Sequence, residues 1–144
     1  MIKPIVTNTF FLSLKAKPAT KEDIAIANDL IDTLKAHSFE CIGMAANMIG
    51  EAKAIIVFDD GKNIHEMFNP VITAKSGPYK TSEGCLSLDG ERETQRFRNI
   101  TVEYQDRNMD KHVKKYSAYE AQVIQHEIDH INGRSEEHTS NSSH

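Results

Sequence analysis

Residues 125–133 read QHEIDHING. On a helix, His126 and His130 lie on one face, about 6 Å apart along the axis, so both imidazoles can aim at one ion. Glu127 sits one step round the helix, close enough to reach a water on that ion without binding the ion itself. The chemistry on offer is hydrolysis: an ion lowers the pKa of water, and a carboxylate takes the proton. The competing reading is two exposed histidines on a polar surface helix. A catalytic ion needs three protein ligands and an open position, so the third ligand decides.

Two places can supply it. Downstream, His130, Gly133 and Glu136 approximate the spacing of metzincin-like HExxH metallopeptidases, where a third ligand follows the motif. Only eight residues follow Glu136, too few for the turn that closes such a site. Upstream, SEGCLSLDG (82–90) sets Cys85 beside glycine, where a strand can feed a loop. A thiolate with two imidazoles makes a tetrahedral set with the fourth position open, and its charge offsets part of the ion's.

These residues need elements to hold them. Ser117 and Glu120 have the S-x-x-E spacing of a capping box, and Gly133 is placed to end a helix, which predicts a helix over 118–132. Thr20 and Asp23 start a second helix, 20–37, whose Ile24, Ala27, Leu30, Ile31 and Leu34 make one apolar face. Residues 1–20 read as extended and then loop-like. Ala54–Phe58 is a short buried strand. Met67–Ala74 is another, with Pro70 placing it at an edge or a bulge. Asn99–Asp106 alternates as a half-buried strand, and Lys111–Ser117 pairs back on it as a hairpin. The pattern is α+β, with antiparallel strands, a long C-terminal helix and an N-terminal helix. Residues 1–134 form one domain; 135–144 are polar and small, read as a disordered tail or a segment foreign to the fold.

The bulk numbers exclude several classes. A chain of 144 residues buries roughly two-thirds of its unfolded surface and needs no staples. A net charge of −4 without a basic stripe leaves no footprint for nucleic acid or an anionic membrane. No 18-residue apolar run is present, and the start, broken by Thr7, Asn8 and Thr9, is not a signal peptide; a cytoplasmic location is expected. There Cys41 and Cys85 are free thiols or ligands rather than a disulfide.

IGMAANMIG (42–50), EGCLS (83–87) and HEIDH (126–130) occur in that order, and together they resemble the peptide deformylase family over residues 1–134. The resemblance implies a metal-dependent hydrolase that removes the N-formyl group from the formyl-methionine of nascent polypeptides and releases formate. It implies Cys85, His126 and His130 as ligands of one divalent ion, usually Fe(II), with Zn, Ni or Co as substitutes. It implies Glu127 as general acid and base, and the Leu86 N–H as donor to the oxyanion. It also implies that Ile42 and Gly43 pair with the substrate as an added strand, and that sheets pack around the helix carrying HExDH. Tyr119, Gln122 and Val123 share the His126 face and are expected in the wall for the methionine side chain, with simple core packing as the alternative. Asp129 is expected to pair with an arginine, Arg96 first, Arg98 or Arg92 otherwise. The partners implied are N-formylmethionyl nascent peptides and, transiently, the ribosome.

The first motif departs from the family twice. Cys41 stands where a glycine is usual, and Met48 where the family keeps a glutamine whose amide donates to the formyl oxygen. Methionine has no such donor. The readings are a slower deformylase, another donor with Asn47 the nearest, or a metal-stabilised module that binds N-terminal peptides without cleaving them.

Overall fold

In a computed structural model of the protein, which describes residues 1–134, the apolar run at 54–58 becomes an inner strand of an antiparallel sheet. The chain runs α1 (Thr9–Leu12), α2 (Ile24–Ala36), β1 (Gly43–Ala45), β2 (Ile55–Asp59), β3 (Ile64–Cys85), β4 (Leu88–Gln105), β5 (Lys111–Ser117) and α3 (Ala118–Ile131). The five strands lie side by side in sequence order, every pair antiparallel, so hairpins build the whole sheet. Ile55 to Phe58 are all buried because both faces of β2 are covered, with α2 and α3 each packing against it. Alternation on β4 turns Ile100, Val102 and Tyr104 into the core, where α3 adds Ile124, Ile128 and Ile131. The 135–144 segment and Glu136 lie outside the described residues.

Several expectations change. The segment 1–20 contains a one-turn helix, α1, capped by Asn8, whose Oδ1 accepts from the Phe11 N–H at 3.0 Å. The helix expected from Thr20 begins as a 3₁₀ turn at Lys21–Asp23. There the Thr20 N–H donates to Asp23 Oδ2 at 2.8 Å, and the Glu22 N–H donates to Thr20 Oγ1 at 3.2 Å. Pro70 marks a bulge, not an edge: the register shifts between Phe68 and Val71, and β3 is flanked on both sides. The largest difference is length. Lys75 to Phe97, between the strands expected at 67–74 and 99–106, lie within the two arms of one long hairpin whose tip is Leu86-Ser87. The Ser117 capping box does not form. Ser117 is still paired in β5, opposite Asn99, and the chain enters α3 through Ala118 at φ +52° instead.

The other end of α3 follows the sequence. Gly133, at φ +70°, donates to the His130 carbonyl at 3.0 Å, and Arg134 donates to the Asp129 carbonyl at 2.8 Å, the paired bonds of a Schellman ending. A β-carbon at Gly133 would lie 2.2 Å from the Ser13 carbonyl oxygen. Gly133→Ala therefore destabilises by roughly 1–2 kcal/mol for the left-handed backbone, and further for the clash. The expected reading is a lower urea midpoint at unchanged slope; an unshifted midpoint contradicts this packing.

Candidate metal centre and active-site cleft

Two elements meet at the site. Helix α3 brings His126 and His130 to one face, and the tip of the β3–β4 hairpin brings Cys85 to them. Cys85 Sγ lies 3.1 Å from His130 Nε2, which lies 3.2 Å from His126 Nε2. All three ligand atoms fall within 4.8 Å of one another. One sulfur and two imidazole nitrogens converging this closely could hold a divalent ion in tetrahedral geometry. The electrostatics agree. Burial disfavours a charged His126, but Cys85 and Glu83 outweigh it and raise its pKa to about 10. The groups around His126 thus favour positive charge at this locus.

Beside this trio lies Glu127, only 4% exposed. Its Oε1 is buried without a hydrogen-bond partner among the described residues. Burial pushes its carboxyl up to about 7, with His126 working in the opposite direction. β1 is pressed against it: a β-carbon on Gly43 would lie 2.6 Å from Val123 Cγ1 and 2.9 Å from Glu127 Oε2. Only glycine lets the edge strand come so near the carboxylate. β1 has a strand neighbour on one side alone among the described residues, so its other edge can receive an extended chain.

A layer behind this trio orients it. His126 Nδ1 meets Glu83 Oε1 at 2.8 Å, which turns Nε2 toward Cys85 and His130. Arg96 grips Glu83 with two bonds, Nε to Oε2 at 3.0 Å and Nη2 to Oε1 at 2.7 Å, and reaches Asp129 Oδ2 through Nη1 at 2.7 Å. Burial opposes the charge on Glu83, yet His126 and Arg96 hold its carboxyl well below the usual range. The arginine expected opposite Asp129 is thus Arg96; Arg98 instead lies over the Tyr79 ring, 4.9 Å from its centre. Sequence reasoning missed Glu83. The signal was present, since residues two apart on a strand face the same side, and Glu83 is two before Cys85. Replacing Glu83 by glutamine leaves the packing but weakens the partner of His126. Metal affinity is expected to fall roughly 10- to 100-fold in chelator competition. An unchanged affinity contradicts this role.

The cleft in front of these groups has a volume of about 440 Å³. Its walls include Ile42, Gly43, Cys85, Leu86, Tyr119, Gln122, Val123, His126 and Glu127, so the expected site residues other than His130 line one cavity. Val123 is buried and Tyr119 is 62% exposed, placing Tyr119 at the rim. Met48 also lines it, 1% exposed, its Sδ accepting the Ala45 N–H at 3.4 Å. Asn47 does not face this cavity as a substitute donor; its amide is buried and donates to the His130 carbonyl at 2.7 Å. Cys41 lines the cleft, and burial pushes its thiol up to about 12, so it stays protonated near neutrality. No helix among the described residues is long and apolar enough to cross a membrane.

Comparison with known proteins bears on this geometry. Residues 3–142 match the family model described as Polypeptide deformylase. The chain is 51% identical over 133 residues to a peptide deformylase of Clostridium beijerinckii, covering 92% of this chain and 98% of that one. A peptide deformylase of Carboxydothermus hydrogenoformans is 36% identical over 118 residues, with 81% and 76% covered. Among solved structures, the peptide deformylase of Thermus thermophilus aligns with a TM-score of 0.84 at 34% identity, over 92% of this chain and 82% of that one. That of Thermotoga maritima aligns at 0.83 and 29% identity, over 92% and 93%.

Proposed function

The chain belongs to the polypeptide deformylase family, and on that premise we propose that Cys85, His126 and His130 hold one divalent ion, with Glu127 as the acid and base beside it. The protein is a peptide deformylase, a metal-dependent hydrolase of protein biosynthesis acting on N-formylmethionyl peptides and releasing formate. The observation that carries the assignment of roles is the convergence of one thiol and two imidazoles beside a buried carboxyl with an unpartnered oxygen. A third ligand from Cys85 leaves the metzincin-like reading without support.

When bound, the ion supplies Lewis acidity, polarising the formyl oxygen and acidifying water. The residues of the chain do the rest. The backbone of Ile42 and Gly43 takes the peptide as an added strand on β1, setting its formyl end beside Glu127. The Leu86 N–H donates to the oxygen on which negative charge develops. Glu127 takes a proton from the attacking water and gives it to the departing amine, and a carboxyl near 7 suits both transfers. Val123, Gln122 and Tyr119 form part of the wall for the methionine side chain. We assign Fe(II) as the native ion, with Zn, Ni or Co as substitutes, a cytoplasmic location, and transient contact with the ribosome where nascent chains emerge.

The test is formate release from formyl-Met-Ala by protein loaded with Fe(II) under anaerobic conditions, or with Ni(II). Stoichiometrically loaded, folded protein that binds the peptide and releases no formate contradicts this reading and favours a binding module.

A further inference from the structure

The carboxamide of Gln122 is fixed at both ends. Its Oε1 accepts from the Tyr79 hydroxyl at 3.3 Å, and its Nε2 donates to Glu83 Oε2 at 3.0 Å. The other oxygen of Glu83 meets His126 Nδ1 at 2.8 Å, so the amide lies two hydrogen bonds from a ring of the ligand trio, in the wall of the same cleft. A primary amide carries two N–H donors. Glu83 takes one, and the second meets no acceptor among the described residues. An apolar pocket for a thioether needs no such donor, because thioether sulfur accepts only weakly.

A sulfoxide changes the match. Oxidation turns methionine into a polar, chiral side chain of the same length, with a strong acceptor oxygen on the sulfur. We propose that Gln122 lets this cleft accept N-formyl peptides whose first residue is methionine sulfoxide, the sulfoxide oxygen taking the second N–H of the carboxamide. The inference rests on the reading that Gln122 walls the pocket for the first side chain. The reaction remains hydrolysis: water adds across the formyl C–N bond, formate and a free amine leave, and no electrons move. Because Tyr79 and Glu83 hold the amide in one orientation, the donor meets the oxygen of one sulfoxide epimer better than that of the other.

The test compares kcat/KM for the two separated epimers of formyl-Met(O)-Ala-Ser with that for formyl-norleucyl-Ala-Ser, which has the same reach and no acceptor. In the parent protein, the favoured epimer is expected within roughly 30-fold of norleucine, and the other at least about fivefold below it. Gln122→Leu lowers the favoured epimer relative to norleucine by roughly tenfold, mainly through KM. Tyr79→Phe keeps the amide but releases its Oε1, and narrows the gap between epimers. The proposal is overturned if both epimers fall more than about 30-fold below norleucine, or if the parent treats them alike. It is equally overturned if Gln122→Leu leaves the ratio unchanged. The epimer comparison needs only the parent protein, so it stands even where a variant does not fold. If the proposed site roles fail instead, formate is absent with formyl-Met-Ala-Ser and norleucine too.

Discussion

Glu127→Gln, in a fully metallated sample, releases formate roughly 10²–10⁴ times more slowly than the parent protein, at unchanged metal content. Both halves follow from the geometry. The Glu127 carboxyl is outside the trio whose atoms converge, so the ion does not depend on it. Glutamine has nearly the same shape and keeps the packing against Gly43 and Val123, but it cannot take up and return a proton. The buried environment that raises the carboxyl to about 7 is what equips it for both transfers near neutral pH. The check is kcat alongside elemental analysis of the same preparation. A variant that keeps parental turnover at full metal loading would show that the proton travels by another route.

The second large effect runs in the opposite direction. Met48→Gln raises kcat/KM on formyl-Met peptides, because the parent cleft presents a thioether where an amide donor would serve. One donor to a developing oxyanion is worth about 10²–10³ in rate, and a restored one should recover at least roughly tenfold. The local structure favours the exchange. Met48 Sδ accepts the Ala45 N–H, a bond the glutamine oxygen can take over while its NH₂ faces the cleft. Asn47 offers no substitute, since it is buried away from the cleft lining, with its amide nitrogen on the His130 carbonyl. Activity that stays level or drops in a folded, metallated Met48→Gln sample means that some other group already donates there.

The parts of the site legible in the sequence are those that local spacing controls. His126, Glu127 and His130 are set by helical periodicity alone, and the helix end at Gly133 by its left-handed backbone. Cys85 was legible as a candidate because a catalytic ion with two histidines needs a third ligand, and Cys85 stood upstream with Glu136 as the downstream alternative. The start of α3 was not, because Ser117 has the sequence of a cap but is already bound into β5, and strand pairing overrode the local preference. Strand β1 is three residues long, too short to show a period, although it forms the edge beside Glu127. The long hairpin was hidden by Gly77 and Pro78, which mark turns in most chains but here lie within paired strands. Tyr79 and Glu83 were missed with it. Once the strand is known, Tyr79, Glu83 and Cys85 alternate onto one face, and the support behind His126 and Gln122 follows. Arg96 came from the family resemblance rather than from any local pattern.

The most direct measurement of the central claim, that Cys85, His126 and His130 together hold a single ion, is X-ray absorption on protein loaded with one equivalent of Zn(II). The expected spectrum has one sulfur at about 2.3 Å and two imidazole nitrogens at about 2.0–2.1 Å, with the sulfur lost in Cys85→Ser. A first shell of nitrogen and oxygen only in the parent protein, or a sulfur that survives Cys85→Ser, would contradict it.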